Sequence, residues 1–133
     1  MSLSLAASHE VEFVTGTPRA LLRVEGAALG LGAVALYAAG GHSWLAFAAL
    51  FLAPDLGIAA YLGGPRVGAT VYNALHWTAP ALALAALGWA LPLSGAFAVA
   101  LVWLAHIGLD RALGYGLKYG SGFRDTHLGR LGS

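Results

Sequence analysis

Four apolar stretches, each close to the ~20 residues that cross a bilayer, occupy most of this 133-residue chain and are joined by connections of a few residues. A soluble domain covers its core with charged side chains, and only 10% of these residues are charged while 59% are hydrophobic. Lipid removes that requirement, because the surface that faces it must itself be apolar. A soluble helical core is the rival reading, but four long apolar segments leave nothing to cover them. Helix is the expected form: period-two alternation is absent, and hydrocarbon cannot satisfy open strands.

The predicted spans run from about Ala20 to Ala39, Trp44 to Leu62, Val67 to Leu91 and Gly95 to Leu117. Gly40-Gly41-His42-Ser43, Gly63-Gly64-Pro65-Arg66 and Pro92-Leu93-Ser94 separate them. Such short connections make sequential helices antiparallel neighbours. The expected fold is therefore all-α, an integral membrane four-helix bundle. Residues 1–18 form an N-terminal segment, 19–118 the membrane domain, and 119–133 a tail. The tail contains Gly120 and Gly122 and is expected to fold back as a lid carrying Asp125 and His127.

Arg19, Arg23, Arg66, Lys118, Arg124 and Arg130 all fall on one side of this topology, whereas the opposite loops hold no lysine or arginine. The positive-inside rule puts both termini and the Arg66 turn in the cytoplasm, as in a multi-pass protein of the bacterial inner membrane. The N-terminus has no basic region and carries Glu10 and Glu12, which is not the pattern of a signal peptide. With no cysteine, disulfides and thiolate metal sites are excluded. A formal net charge of +1 gives no reason to expect nucleic acid as a partner. Gly26 and Gly30 form a small-xxx-small pair, which either brings the first helix close to a neighbour or reflects the glycine-rich composition.

The informative residues are those that a lipid-facing helix avoids. Glu25, Asp55, His76, His106 and Asp110 come from all four spans and share the cytoplasmic half of the membrane, at depths of ~8–17 Å. His106 and Asp110 are four apart and share a helix face; Asn73 and His76 share another. Charges in hydrocarbon are costly, so these groups must turn inward and satisfy one another. A hydrogen-bonded packing core is one reading. The residue types favour another, because carboxylates and imidazoles on facing helices are ligands of Zn, Mn or Fe. The sequence allows either one ion with three or four ligands and a free position, or two bridged ions.

Arg23-Val-Glu25, Pro54-Asp55, Gly64-Pro65-Arg66, Tyr72-Asn73-Ala-Leu-His76, His106-Ile-Gly-Leu-Asp110-Arg111 and Lys118-Tyr-Gly-Ser-Gly-Phe123-Arg124-Asp125-Thr126-His127 occur in this order. Together they resemble a family of small four-helix bacterial membrane proteins of unknown function. Pro54-Asp55, a histidine in the next span and His106-x-x-x-Asp110 are also similar to the LexA-regulated, membrane-bound metal-dependent hydrolases. Where those carry a longer His-rich motif, this chain has Asn73 and His76. That likeness implies a metal held by Asp55, His76, His106 and Asp110.

The function expected from these residues is a membrane-embedded, metal-dependent hydrolase acting on a lipid-like or phosphoester substrate from the cytoplasmic leaflet. Glu25 is expected as fifth ligand or general base, and Arg66 or Arg111 as the holder of substrate charge. Tyr72, Tyr115, Asn73, Asp125 and His127 are expected around the site or in its lid. Two other classes use the same residues: a small transporter or proton-binding protein, which would need to form a homo-oligomer, and a structural subunit with a polar packing core.

Overall fold

The structure, a computed structural model, describes residues 12–131. The expected N-terminal segment, with the residues on which the signal-peptide reading rests, lies largely outside these. Five α-helices follow in order: α1 (Gly16–Ala39), α2 (Trp44–Phe51), α3 (Pro65–His76), α4 (Thr78–Ala90) and α5 (Ser94–Leu113). A 3-10 segment, Ala53–Gly63, continues α2, and two short strands, β1 (Asp125–Thr126) and β2 (Gly129–Arg130), close the tail as a hairpin. Gly16–Ala39, Trp44–Gly63 and Ser94–Leu113 are each long and apolar enough to cross a membrane. The protein is a helical membrane protein, and its outer surface fits that solvent: Leu31, Leu45, Leu62, Leu87 and Trp89 all stand exposed.

The second and third spans depart from the uninterrupted helices expected of them, and proline is the cause in both. Pro54 has no N–H to continue the α-helical ladder, and the Asp55 N–H bonds back to Leu52 O in the tighter 3-10 pattern. In the third span the chain breaks at Trp77, which is extended (φ −88°, ψ 134°), leaving α3 and α4 as separate helices of 12 and 13 residues. Pro80 is the residue whose N–H would have bonded His76 O, so the ladder fails just where the break falls.

A broken helix in lipid must have its freed carbonyls satisfied. Here α5 supplies the donors: Trp103 Nε1 donates to Leu75 O at 2.6 Å, and Arg111 donates to His76 O at 3.2 Å. That requirement helps make α5 the central helix, with buried side chains from Ala100 through Ile107 except the partly buried Trp103. The fourth span is shorter than expected, ending at Gly114, which takes a left-handed φ of 87°.

The first helix is also placed differently from a simple antiparallel series: α1 packs chiefly along α5 and meets α2 only near their shared turn, where Tyr37 contacts Trp44 and Phe47. Three glycines account for this. A Cβ on Gly108 would lie 2.5 Å from Gly30 N and 2.6 Å from Gly26 O, so the two backbones touch where no side chain intervenes. The Gly26/Gly30 pair is thus a packing surface, the first of the two readings its spacing allowed. Arg23 Nε donates to Ala112 O and Arg19 Nε to Leu128 O, tying the start of α1 to the end of α5 and to the tail.

Candidate metal centre

Both helix irregularities converge on one point. Asp55 opens the 3-10 segment directly after Pro54, His76 closes α3 just before the break, and His106 and Asp110 stand one turn apart on α5. One ligand-type atom from each lies within 4.8 Å of every other. The two imidazoles are almost fully buried, Asp110 is largely buried, and Asp55 is half exposed. The tyrosine before the break adds a wall: the Tyr72 ring stacks on His76 with centroids 3.7 Å apart.

The orientation of the two histidines follows from their backbone partners. His76 Nδ1 is 2.8 Å from Tyr72 O, and His106 Nδ1 is 2.6 Å from Phe51 O. Phe51 O is available because the switch to 3-10 geometry diverts the Asp55 N–H to Leu52 O. A carbonyl only accepts, so both Nδ1 atoms carry hydrogen, and each ring, when neutral, turns the bare lone pair of Nε2 inward. Those Nε2 atoms are 3.1 Å apart. With no hydrogen between them, two lone pairs at that distance repel unless something positive lies between.

The carboxylates complete the figure. His76 Nε2 is 3.3 Å from Asp55 Oδ1 and 3.4 Å from Asp110 Oδ2; His106 Nε2 is 3.3 and 3.2 Å from the same atoms. Five of the six distances among these four atoms are thus 3.1–3.4 Å, and all four lie within 4.8 Å of one another, close enough to share one ion. Protonated imidazoles would draw closer, since N–H···O⁻ bonds close to ~2.7–2.9 Å.

Of the residues expected at the site, Asp55, His76, His106 and Asp110 are brought together, with Tyr72 against them and Tyr115 on the wall of the adjoining cavity. Glu25 is not among them. It is exposed on α1 and lines a separate cleft with Arg111 and His127, because the glycine contact sets α1 on the other flank of α5. Nor does either arginine reach the cluster. Arg66 is exposed in its turn, and Arg111, about 100° around α5 from Asp110, is committed to His76 O and to the His127 ring.

The tail folds back onto the helices, with Thr126 and Leu128 fully buried. Asn73 holds it, donating to Lys118 O at 2.8 Å and accepting from Lys118 N at 2.6 Å, like the next rung of a sheet. His127 Nδ1 accepts from Leu117 N, and burial followed by the nearby Arg111 charge lowers its pKa below the ordinary histidine value. Asp125 stays within the hairpin, bonded to Ser121 and near Arg130.

Two residues were missed in the sequence. Lys118 reads there as one more positive charge of the cytoplasmic side, yet it is 5% exposed and lines the cavity beside Asp55 and Asp110. Trp103 lies within the fourth apolar span, and its indole satisfies the broken helix. Neither sits at a spacing that marks it.

The fold and the cluster define a class: a small helical membrane protein whose broken helices present two histidines and two aspartates to one another. Within that class the chain belongs to the DUF4260 family, a domain of unknown function whose model matches residues 19–131. No curated protein and no solved structure matches it.

Proposed function

We propose that this protein is a membrane-embedded, metal-dependent hydrolase in which Asp55, His76, His106 and Asp110 hold one divalent ion, Zn, Mn or Fe. The observation that carries the reading is the pair of Nε2 lone pairs facing each other at 3.1 Å, each fixed by a carbonyl on its Nδ1 side. Backbone carbonyls behind ligating histidines are the usual means of setting tautomer and ring orientation.

Catalysis needs access as well as ligands. Both aspartates line a cavity of about 380 Å³, while the histidines sit behind them. A substrate therefore meets the carboxylate edge of the site, where an ion that takes five ligands has room for one more. A dication supplies Lewis acidity and brings the pKa of water toward ~7. With Glu25 outside the cluster, the half-exposed Asp55 is the carboxylate placed to take a proton. The arginine and lysine asymmetry supports a cytoplasmic opening, with lipid-like or phosphoester substrates arriving from the inner leaflet of a bacterial membrane.

The test is reconstitution. Protein stripped by chelator and reloaded with Zn, Mn or Fe should bind one ion per chain and hydrolyse amphiphilic esters or phosphoesters in at least one metal form. His106→Gln should lose both. Wild-type protein that takes up none of the three metals would remove the basis for the reading.

A further inference from the structure

The cavity beside the cluster contains a buried cation, Lys118, which shares it with Asp55 and Asp110. Lys118 is 5% exposed, and no carboxylate lies within 4 Å of its ammonium among the described residues. Its Nζ donates to Phe123 O at 2.7 Å and stands 3.7 Å from the Phe123 ring centroid and 4.5 Å over Tyr72. An ammonium has three hydrogens, so two remain. The backbone of Lys118 is clamped on both sides by Asn73, which fixes the residue in place. A lysine serving only as a topology signal would extend into water; this one is folded inward under the tail hairpin.

From this geometry we infer that the site takes an amphiphile bearing a phosphate monoester, held between the ion and Lys118. The inference rests on the metal reading above and adds its substrate class. Charge decides first: Asp55 and Asp110 balance a dication, and Lys118 leaves the cavity one positive charge in excess. A neutral ester or a cationic head leaves that charge buried and unpaired, which is costly. Valence decides next. A phosphate monoester offers three terminal oxygens, one for the ion and two for the ammonium hydrogens, and carries more negative charge near neutral pH than a sulfate monoester or a carboxylate.

The apolar part of the ligand follows from the rim. Ile58, Phe123 and Leu131 line the same cavity, and Ile58 and Phe123 are 37% and 40% exposed. Ile58 lies on the 3-10 segment between the strongly exposed Leu56 and Leu62, so a hydrocarbon chain leaving the cavity there passes directly onto the lipid-facing surface. Burial lowers the Lys118 pKa to about 8, which leaves the ammonium charged at neutral pH and poorly solvated. An anion restores the solvation that burial removed.

The experiment titrates octyl phosphate, octanol, octyl sulfate and inorganic phosphate into metal-loaded protein in neutral detergent, followed by calorimetry. Octyl phosphate should bind at least about tenfold more tightly than octanol, as expected for hydrogen bonds to a charged group, more tightly than octyl sulfate because it carries more negative charge, and more tightly than inorganic phosphate because its chain is buried. Lys118→Met should lose about that factor while keeping one metal per chain, and Lys118→Arg should recover most of it. Metal-loaded wild type that binds octyl phosphate no better than octanol or octyl sulfate overturns the inference and leaves the metal reading standing. Equal binding of inorganic phosphate overturns the amphiphile in favour of free phosphate. Loss of metal from Lys118→Met also overturns it, because the ammonium would then serve the cluster. Wild type that takes up no metal is the separate result that removes the metal reading itself.

Discussion

Replacing His106 with Gln separates a metal centre from a packing core through the sign of its effect on stability. Glutamine has about the same reach and keeps an amide N–H for Phe51 O, but it is a poor metal ligand. In the metal-free state the wild type holds two Nε2 lone pairs 3.1 Å apart in a buried pocket. The substitution removes one of them, so metal-free His106→Gln should be at least as stable as metal-free wild type. Metal reverses the order. With free ion at 100 times its Kd, the wild type gains ~2.7 kcal/mol, and at 1,000 times ~4.1 kcal/mol. For a chain of this size that is a rise in Tm on the order of 10 °C, and the variant should gain little of it. Thermal unfolding in detergent, read by tryptophan fluorescence with chelator and then with Zn, Mn or Fe, gives all four values. The reasoning is refuted if His106→Gln lowers Tm equally with and without chelator, which is the behaviour of a packing residue.

Other regions of the structure give further expectations. Trp103→Phe removes the donor to Leu75 O at the helix break and should cost ~1–3 kcal/mol, measured as a lower Tm without loss of the aromatic packing. Gly108→Ala forces a methyl against the backbone of Gly26 and Gly30 and should cost ~1–3 kcal/mol, measured as a lower Tm. His127 has a folded pKa below its unfolded ~6.5. Its contribution to the docked tail is therefore complete above about pH 6.5 and is lost as pH falls through the folded value. Hydrogen exchange across residues 119–131 should accelerate at acid pH, and His127→Asn, which can still accept from Leu117 N, should abolish the acid step. For topology, a cysteine at Ser43 should label from outside and one at Ser121 from the cytoplasm; labelling of both from one face would contradict four crossings.

What was legible in the sequence was whatever local composition controls. Apolar runs of membrane length demand helices, since lipid offers the backbone no other partner, and the Gly/Pro clusters placed the turns within a few residues of their observed positions. Asp55, His76, His106 and Asp110 were also legible, because ionisable groups in hydrocarbon have to face each other and their depths agreed. Glu25 satisfied the same depth rule and still fails to join them. Depth is a one-dimensional coordinate, and which flank of α5 receives α1 depends on how Gly26 and Gly30 meet Gly108.

The tertiary structure alone decided how the histidines are aimed. Pro54 and Pro80 are visible in the sequence, but a proline announces only that a carbonyl loses its donor. That Phe51 O is then taken by His106, His76 O by Arg111 and Leu75 O by Trp103 depends on α5 lying against both breaks. It also decided the role of Lys118, whose charge the sequence assigns to the cytoplasmic side and which the Asn73 clamp turns into the cavity. Sequence sets which groups must find partners, because desolvation is a property of each group; packing sets which partners they find, because that depends on helix contacts between residues far apart in the chain.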